Sequence, residues 1–139
     1  MVPKVVLDTN IIVSAFGWRG SPHQILRRCI TGDFRLHLSP ALLLETTRVL
    51  AYPKFGFNQS QIDEFAALVF EIATMVHPTF TVDIVTADPS DNRVLECAIA
   101  AGCPWIVSGD RHLLELSNLH EIQVFTPDVF LTRHPVQPR

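Results

Sequence analysis

The chain alternates short apolar runs with segments of helical periodicity, and this alternation constrains its fold more than any other feature. Each run is too short for a helix, and the first is rich in valine, which is typical of a buried strand. The runs that we interpret as strands are residues 2–7, 34–38, 75–77, 105–107 and 123–125. Strands that alternate with helices predict an α/β fold, a three-layer α/β/α sandwich with a mostly parallel central sheet.

Capping signals mark the predicted helix ends. Ser21–Pro22 and Ser39–Pro40 each pair an N-cap residue with a proline suited to the first helical position. Ser60 followed by Asp63 resembles a capping box, and Gly102 suits a helix C-terminus. These signals predict helices over residues 22–31, 40–51, 61–74 and 90–101, with shorter ones near 11–16 and 113–116.

The length of 139 residues fits one domain, and its 47% hydrophobic residues can fill one core. We expect a core over about residues 1–130 and a C-terminal tail over 131–139. No apolar stretch approaches the roughly 18 residues that span a membrane, and the N-terminus lacks a signal peptide's apolar segment, so we expect a cytoplasmic location. The three cysteines show no metal-ligand spacing, which argues against structural zinc and a disulfide framework.

Charge is unevenly distributed along the chain. Residues 1–56 contain seven lysines and arginines and three acids, whereas residues 57–139 contain four and eleven. The net charge of -3 is not typical of a DNA-binding domain. The separation of acids from arginines is still compatible with an anionic substrate that is held through a bound cation.

Two carboxylates follow predicted strands closely. Asp8 comes directly after Val5–Leu7, and Asp110 comes shortly after the strand that ends at Val107. Ligands of open α/β sheets gather at the carboxyl ends of strands, so these two acids are the first site candidates. Each also precedes a helical pattern, which leaves a simple N-cap role as the alternative.

Two further acids lie on predicted helices. Glu45 falls on the apolar stripe between Leu42 and Val49, where an unpaired carboxylate is costly. A solvated position at the edge of that stripe is the alternative. Asp91 lies in the first turn of the helix that begins near Ser90, where the helix dipole alone would favour an acid.

Carboxylates brought together repel one another and shift towards protonation. A divalent cation removes this repulsion. Carboxylate oxygens and water suit Mg²⁺ or Mn²⁺, whereas zinc or copper would favour histidine or cysteine. The six histidines form no HxxxH pair, so Mg²⁺ or Mn²⁺ is the predicted cation.

Four motifs, taken together, resemble the PIN domain. They are Leu7–Asn10, Glu45 in a leucine-rich helix, Asp88–Asn92 followed by Leu95–Ala98, and Val107–Asp110. Each motif is loose alone, but the four occur in order over nearly the whole chain. The chain is most similar to the bacterial and archaeal branch described as toxin components of toxin–antitoxin systems, relatives of the VapC-type toxins.

This resemblance implies a parallel α/β/α sandwich and a Mg²⁺- or Mn²⁺-dependent endoribonuclease, with RNA as substrate, an antitoxin as partner and a homodimeric assembly. It assigns metal binding and catalysis to Asp8, Glu45, Asp91 and Asp110. It places Thr9 and Asn10 at the polar positions after the first acid, and Ser108 at the hydroxyl position before the last. Similar sequences often carry another aspartate where this chain has His112, so the presence of a second metal site is left open.

Other residues are candidates for substrate or partner contact. Asp88 flanks the same helix start as Asp91. Trp18 and Arg19 follow the first helix, on the side of the sheet edge that carries Asp8, and supply a stacking ring and a cation for single-stranded RNA; closing the core edge is the alternative for Trp18. The helix at 61–74 is apolar over more than one stripe, which predicts a homodimer contact or deep packing inside the domain.

Two other functions compete with the nuclease. A haloacid-dehalogenase-like phosphatase would need an acid two residues after Asp8, where this chain has Asn10. A PIN-fold protein that binds RNA or a partner without turnover would be expected to lose at least one of the four acids, and all four are present. Mn²⁺-dependent cleavage of RNA, measured with and without EDTA, separates these functions.

Overall fold

Five parallel strands form one sheet in the computed structural model, which describes residues 2–85, 88–116 and 121–135. The strands are β1 (Lys4–Leu7), β2 (Arg35–Leu38), β3 (Thr74–Met75), β4 (Trp105–Val107) and β5 (Gln123–Phe125). Their order across the sheet is β3-β2-β1-β4-β5, and every neighbouring pair is parallel. β1 therefore lies in the middle, where Val5, Val6 and Leu7 are fully buried.

Seven α-helices connect and cover these strands within the described residues. They are α1 (Thr9–Gly17), α2 (Ser21–Ile30), α3 (Pro40–Leu50), α4 (Gln59–Ile72), α5 (Ser90–Ala101), α6 (Arg111–Leu114) and α7 (Pro127–Arg133). A 3₁₀ turn, Pro53–Phe55, precedes α4. The predicted α/β fold with a parallel central sheet is confirmed. No helix in the described ranges is both long enough and apolar enough to cross a bilayer.

The capping signals of the sequence are confirmed at some helix ends and wrong at others. The Ser39 hydroxyl accepts a hydrogen bond from the Leu42 amide, and Gly102 ends α5 with a φ of 61°, which favours glycine. The predicted box at Ser60 and Asp63 is wrong. Asn58 caps α4 instead, because its side chain accepts from the Gln61 amide while the Gln61 side chain accepts from the Asn58 amide.

Smaller differences affect the other boundaries. Gly20, with a φ of 150°, occupies the N-cap position of α2, so Ser21 is the first helical residue rather than the cap. The short strand lies at 74–75 instead of 75–77, and α6 lies at 111–114 instead of 113–116. A single hydrogen bond decides where a helix or strand ends, so observed ends commonly differ from predicted ones by a residue or two.

The C-terminal helix α7 extends beyond residue 130, where the sequence pattern places the end of the core. Thr126 caps it by accepting a hydrogen bond from the Val129 amide, and Pro127 stands at its first position. This threonine–proline pair is equivalent to Ser39–Pro40 at the start of α3. Phe130 is fully buried and packs on Phe34 and Trp105. Residues 131–133 therefore belong to a packed helix, while 136–139 lie outside the described residues.

We predict that Phe130→Ala lowers the free energy of unfolding by about 3–5 kcal/mol, because it removes a buried ring and leaves a cavity. Urea denaturation followed by circular dichroism measures this loss. Val129→Ala is the matched control, since Val129 is exposed on the same helix and its truncation should cost less than about 1 kcal/mol. Equal losses in the two variants would contradict the packing of α7.

Candidate functional site

The candidate site begins at the carboxyl ends of β1 and β4, the two central strands. Leu7 pairs with Val107, so the residues that follow the two strands lie side by side. The Asp8 amide donates to the Val107 carbonyl at 3.0 Å, and the Ser108 hydroxyl donates to Asp8 Oδ2 at 2.7 Å. Asp8 and Ser108 are both buried. Asp8 occupies the N-cap position of α1, but its side chain makes no capping hydrogen bond.

Ser108 also fixes the loop that carries the second acid. Its hydroxyl oxygen accepts a hydrogen bond from the Asp110 amide at 2.9 Å. Asp110 Oδ1 accepts from the His112 amide at 2.8 Å, so this carboxylate does cap α6. The capping alternative is thus realised at Asp110 and not at Asp8, and one Asp110 oxygen is held in place by the helix.

The start of α5 contributes two more acids. Asp88 is exposed, and its Oδ1 accepts hydrogen bonds from the Ser90 amide at 3.1 Å and the Ser90 hydroxyl at 2.7 Å. Asp91 is buried in the first turn of the helix. Asp91 Oδ2 is fully buried and has no hydrogen-bond partner among the described residues. A buried carboxylate oxygen without a partner is costly unless a cation or a proton satisfies it.

Three carboxylates meet at this place. One oxygen from each of Asp88, Asp91 and Asp110 lies within 4.8 Å of the others, which would allow the three to share a metal ion. Asp8 lies close enough to act electrostatically on Asp91, and Asp110 and Asp88 act on both. We call these four residues the acidic cluster. Because its donors are carboxylate oxygens, it fits a hard cation such as Mg²⁺ or Mn²⁺.

The electrostatics of the acidic cluster favour protonation in the absence of a cation. Burial is the main cause that raises the pKa of Asp91 to about 7, and the charges of Asp110, Asp8 and Asp88 add to it. Burial also raises the pKa of Asp8, although hydrogen bonds from the Ser108 hydroxyl and the Thr9 amide act in the opposite direction. The cluster therefore binds a proton near neutral pH unless a cation replaces it.

The structure does not bring Glu45 into the three-carboxylate group. Glu45 lies in the middle of α3, and Glu45 Oε1 is 3.3 Å from Arg48 Nη2, one turn further along the helix. Its side chain is 22% exposed, so it stands at the edge of the apolar stripe. The metal-binding role assigned to Glu45 remains a prediction.

The remaining candidates lie along α1. Thr9 is buried and Asn10 exposed in the first turn, next to Asp8. Trp18 and Arg19 are exposed at the opposite end of the same helix, so the prediction that they lie on the side of the sheet edge that carries Asp8 is wrong.

Asp88 was predicted only to flank the helix start, and Asn92 was not among the predicted site residues. Asp88 belongs to the three-carboxylate group, and the Asp-Pro-Ser order was a signal for the turn that points it there. Asn92 positions the preceding loop, because its side chain accepts from the Ile84 and Val85 amides and donates to the Val85 carbonyl. In the sequence, the only signal for a role of Asn92 was its position next to Asp91.

Comparisons with known proteins identify the family and the fold. The model of the PIN domain family matches residues 4–112. A solved structure of VapBC2 from Rickettsia felis, bound to a DNA fragment from its promoter, superposes with a TM-score of 0.60 at 14% identity and covers 88% of this chain and 98% of that chain. The PIN domain of RRP44 from T. brucei gives a TM-score of 0.49 at 11% identity, with 96% and 81% covered. No protein with a curated description matches.

We predict that the metal-free protein loses stability as the pH rises from about 4 to 7. The folded state holds a proton at Asp91 up to its raised pKa of about 7, whereas the unfolded chain releases it near the ordinary pKa of 3.8. Within this window, each pH unit costs the fold up to about 1.4 kcal/mol, and the loss levels off above the folded pKa.

Urea denaturation in EDTA at several pH values checks this slope. Asp91→Asn should flatten it and raise stability at pH 8, because a neutral amide replaces the strained carboxylate. Asp83→Asn, which changes an exposed carboxylate, should keep the wild-type slope. A slope that is unchanged in Asp91→Asn would refute this origin of the pH dependence.

Proposed function

This chain belongs to the PIN domain family, and we propose that it is a metal-dependent endoribonuclease, the toxin of a toxin–antitoxin pair. PIN domains are generally nucleases. The observation that carries the proposal is the buried oxygen of Asp91, a member of the acidic cluster, which lacks a partner among the described residues. A folded chain gains nothing in stability from such an arrangement, so its function is the better reason for it.

The acidic cluster is the proposed binding site for Mg²⁺ or Mn²⁺. Asp88, Asp91 and Asp110, whose oxygens lie within 4.8 Å of one another, would hold the ion together with Asp8, and Glu45 would be a further ligand from α3. When bound, such an ion supplies a nucleophilic water near neutral pH and stabilises the charge that develops on the attacked phosphate.

The chain's own contribution is to hold the carboxylates in position. Ser108 donates to Asp8 and accepts from the Asp110 amide, so one hydroxyl fixes two acids relative to each other. The His112 amide orients Asp110. Hydrogen-bonded supports of this kind orient ligands and commonly change metal affinity or activity about 10–100-fold when they are removed. Asn10, exposed beside the cluster, is a candidate for contact with the substrate.

We predict that Asp8→Asn and Asp91→Asn each lower Mn²⁺-dependent cleavage of a mixed RNA pool by about a hundredfold or more, as losses of electrostatic catalysis do. Asp88→Asn should cost less than Asp91→Asn, because Asp88 is exposed and Asp91 is buried. Glu45→Gln should lower cleavage as much as Asp8→Asn does. EDTA should abolish cleavage by the wild-type protein.

Asp63→Asn is the control for these variants, because Asp63 is an exposed carboxylate on α4. Circular dichroism shows whether each variant is folded. Full activity in a folded Asp8→Asn protein would overturn the assignment of the cluster, and cleavage that persists in EDTA would overturn metal dependence.

The protein partner that we propose is an antitoxin encoded beside this chain. The support is the likeness in fold to the VapBC2 complex. RNA is the proposed substrate, and Trp18 and Arg19 are its proposed contacts outside the acidic cluster, since a ring and a cation together bind single-stranded RNA.

We also propose a homodimer through α4. Ile62, Phe65 and Val69 face the core, whereas Leu68 and Phe70 are exposed on the same helix. A groove of about 540 Å³ beside Phe70 is lined mostly by apolar side chains of α3 and α4. Apolar surface of this kind is typical of interaction sites. Light scattering at tens of micromolar should give the mass of a dimer, and a strictly monomeric mass would contradict the proposal.

A further inference from the structure

Four aromatic rings line up at the end of α1 that lies opposite Asp8. We call Trp18, Tyr52, Phe55 and Phe57 the aromatic strip. Phe55 lies in its middle, with its ring centroid 5.8 Å from that of Trp18, 6.5 Å from that of Tyr52 and 6.0 Å from that of Phe57. The Tyr52 and Phe55 rings are within 5° of parallel, and the Phe55 and Phe57 rings within 17°. These three rings present their faces in one orientation, whereas the Trp18 ring meets Phe55 edge-on at 67°.

The inner part of the aromatic strip is anchored and the outer part is exposed. Phe57 packs on Phe16, with ring centroids 4.8 Å apart, and both lie against the hydrophobic core. Trp18 is 54% exposed and Tyr52 39% exposed. Large rings left in water next to one another are uncommon unless a ligand covers them, whereas a ring that only closed the core edge would be buried.

Two cations accompany the aromatic strip. Arg19 follows Trp18 and Lys54 precedes Phe55, whereas the nearby Arg48 is paired with Glu45. Lys54 Nζ lies 5.1 Å from the centroid of the Phe55 ring. The whole chain carries a net charge of -3, so this is a local basic surface on an acidic protein. Rings interleaved with cations match a polyanion whose bases are free to stack.

The aromatic strip and the acidic cluster are joined by one rigid element. Asp8 precedes α1 and Trp18 follows it. A helix of nine residues is about 13 Å long. An RNA strand bound at the acidic cluster would therefore reach the aromatic strip with nucleotides that are not adjacent to the cleaved bond.

Resting on the proposed ribonuclease function, we propose that the aromatic strip is a stacking subsite for unpaired RNA bases, which selects single-stranded over duplex RNA. In a duplex the base faces are already stacked on one another and cannot lie on protein rings. In a single strand the faces are free, and stacking on a ring tolerates any base. The strip thus adds affinity for unpaired segments without reading their sequence.

The test compares three labelled probes of the same length by fluorescence anisotropy: a twelve-nucleotide oligouridylate, an abasic ribose-phosphate oligomer and a duplex RNA. EDTA is present so that cleavage does not interfere. Wild-type protein should bind the oligouridylate more tightly than the other two. Trp18→Ala and Tyr52→Ala should each weaken oligouridylate binding by between about five- and a hundredfold and leave abasic binding unchanged.

The controls separate stacking from charge and from folding. Lys54→Ala and Arg19→Ala should weaken both single-stranded probes and flatten the dependence of binding on salt. Phe80→Ala truncates a comparably exposed ring, at 42%, outside the aromatic strip and the proposed dimer contact, and should change neither probe. Thermal melts and light scattering confirm that all variants are compared in the same folded and oligomeric state.

The outcomes are distinct from those of the proposed nuclease activity. Unchanged oligouridylate binding in Trp18→Ala and Tyr52→Ala, an equal loss for the abasic probe, or duplex binding as tight as that of the single strand would each overturn the stacking subsite. Absence of Mn²⁺-dependent cleavage by the wild-type protein would overturn the nuclease and leave the binding result standing. With both correct, Trp18→Ala raises KM for RNA and leaves the requirement for Mn²⁺ unchanged.

Discussion

Repulsion among the carboxylates at the ends of β1 and β4 is the interaction on which the rest of this structure depends. The sheet leaves them no room to separate, because β1 and β4 are buried and Leu7 pairs with Val107. The Ser108 hydroxyl offsets part of the cost at Asp8, and no described group does so at Asp91 Oδ2. The fold therefore keeps acids together at a free-energy cost that only a proton or a cation relieves.

Keeping the carboxylates together requires a rigid start of α5. Polar side chains of α5 itself provide this rigidity. Asn92 binds the backbone of Ile84 and Val85, while Glu96 accepts from the Val82 amide at 2.7 Å. Glu96 also lies 2.8 Å from Arg93 Nη2, so this buried acid is paired, unlike Asp91. Residues 78–85 have no helix or strand, yet they are held by α5. Of the two buried acids on α5, only Glu96 is thus ion-paired among the described residues.

The sequence predicted the parallel sheet and two of its site residues for a physical reason: apolar runs identify strands, and strand ends identify Asp8 and Asp110. It did not predict that Asp88 would join them, since the local turn from Asp88 to Ser90 does not show which carboxylates of other elements lie nearby. The predicted cap at Ser60 failed for another reason. Asn58 two residues earlier satisfies the same reciprocal hydrogen bonds, and local patterns do not rank two such competitors.

The uneven charge of the chain gains a spatial meaning from the fold. Acids from its second half form most of the acidic cluster, whereas Arg19 and Lys54 from its first half accompany the aromatic strip. A polyanion approaching four carboxylates alone would be repelled, so the proposed nuclease needs a cation at the cluster and a separate attractive surface. α1 places these two surfaces at its opposite ends. Because attraction at the strip is screened by salt and neutralisation at the buried cluster is screened much less, ionic strength should govern the proposed capture of RNA more than its proposed cleavage.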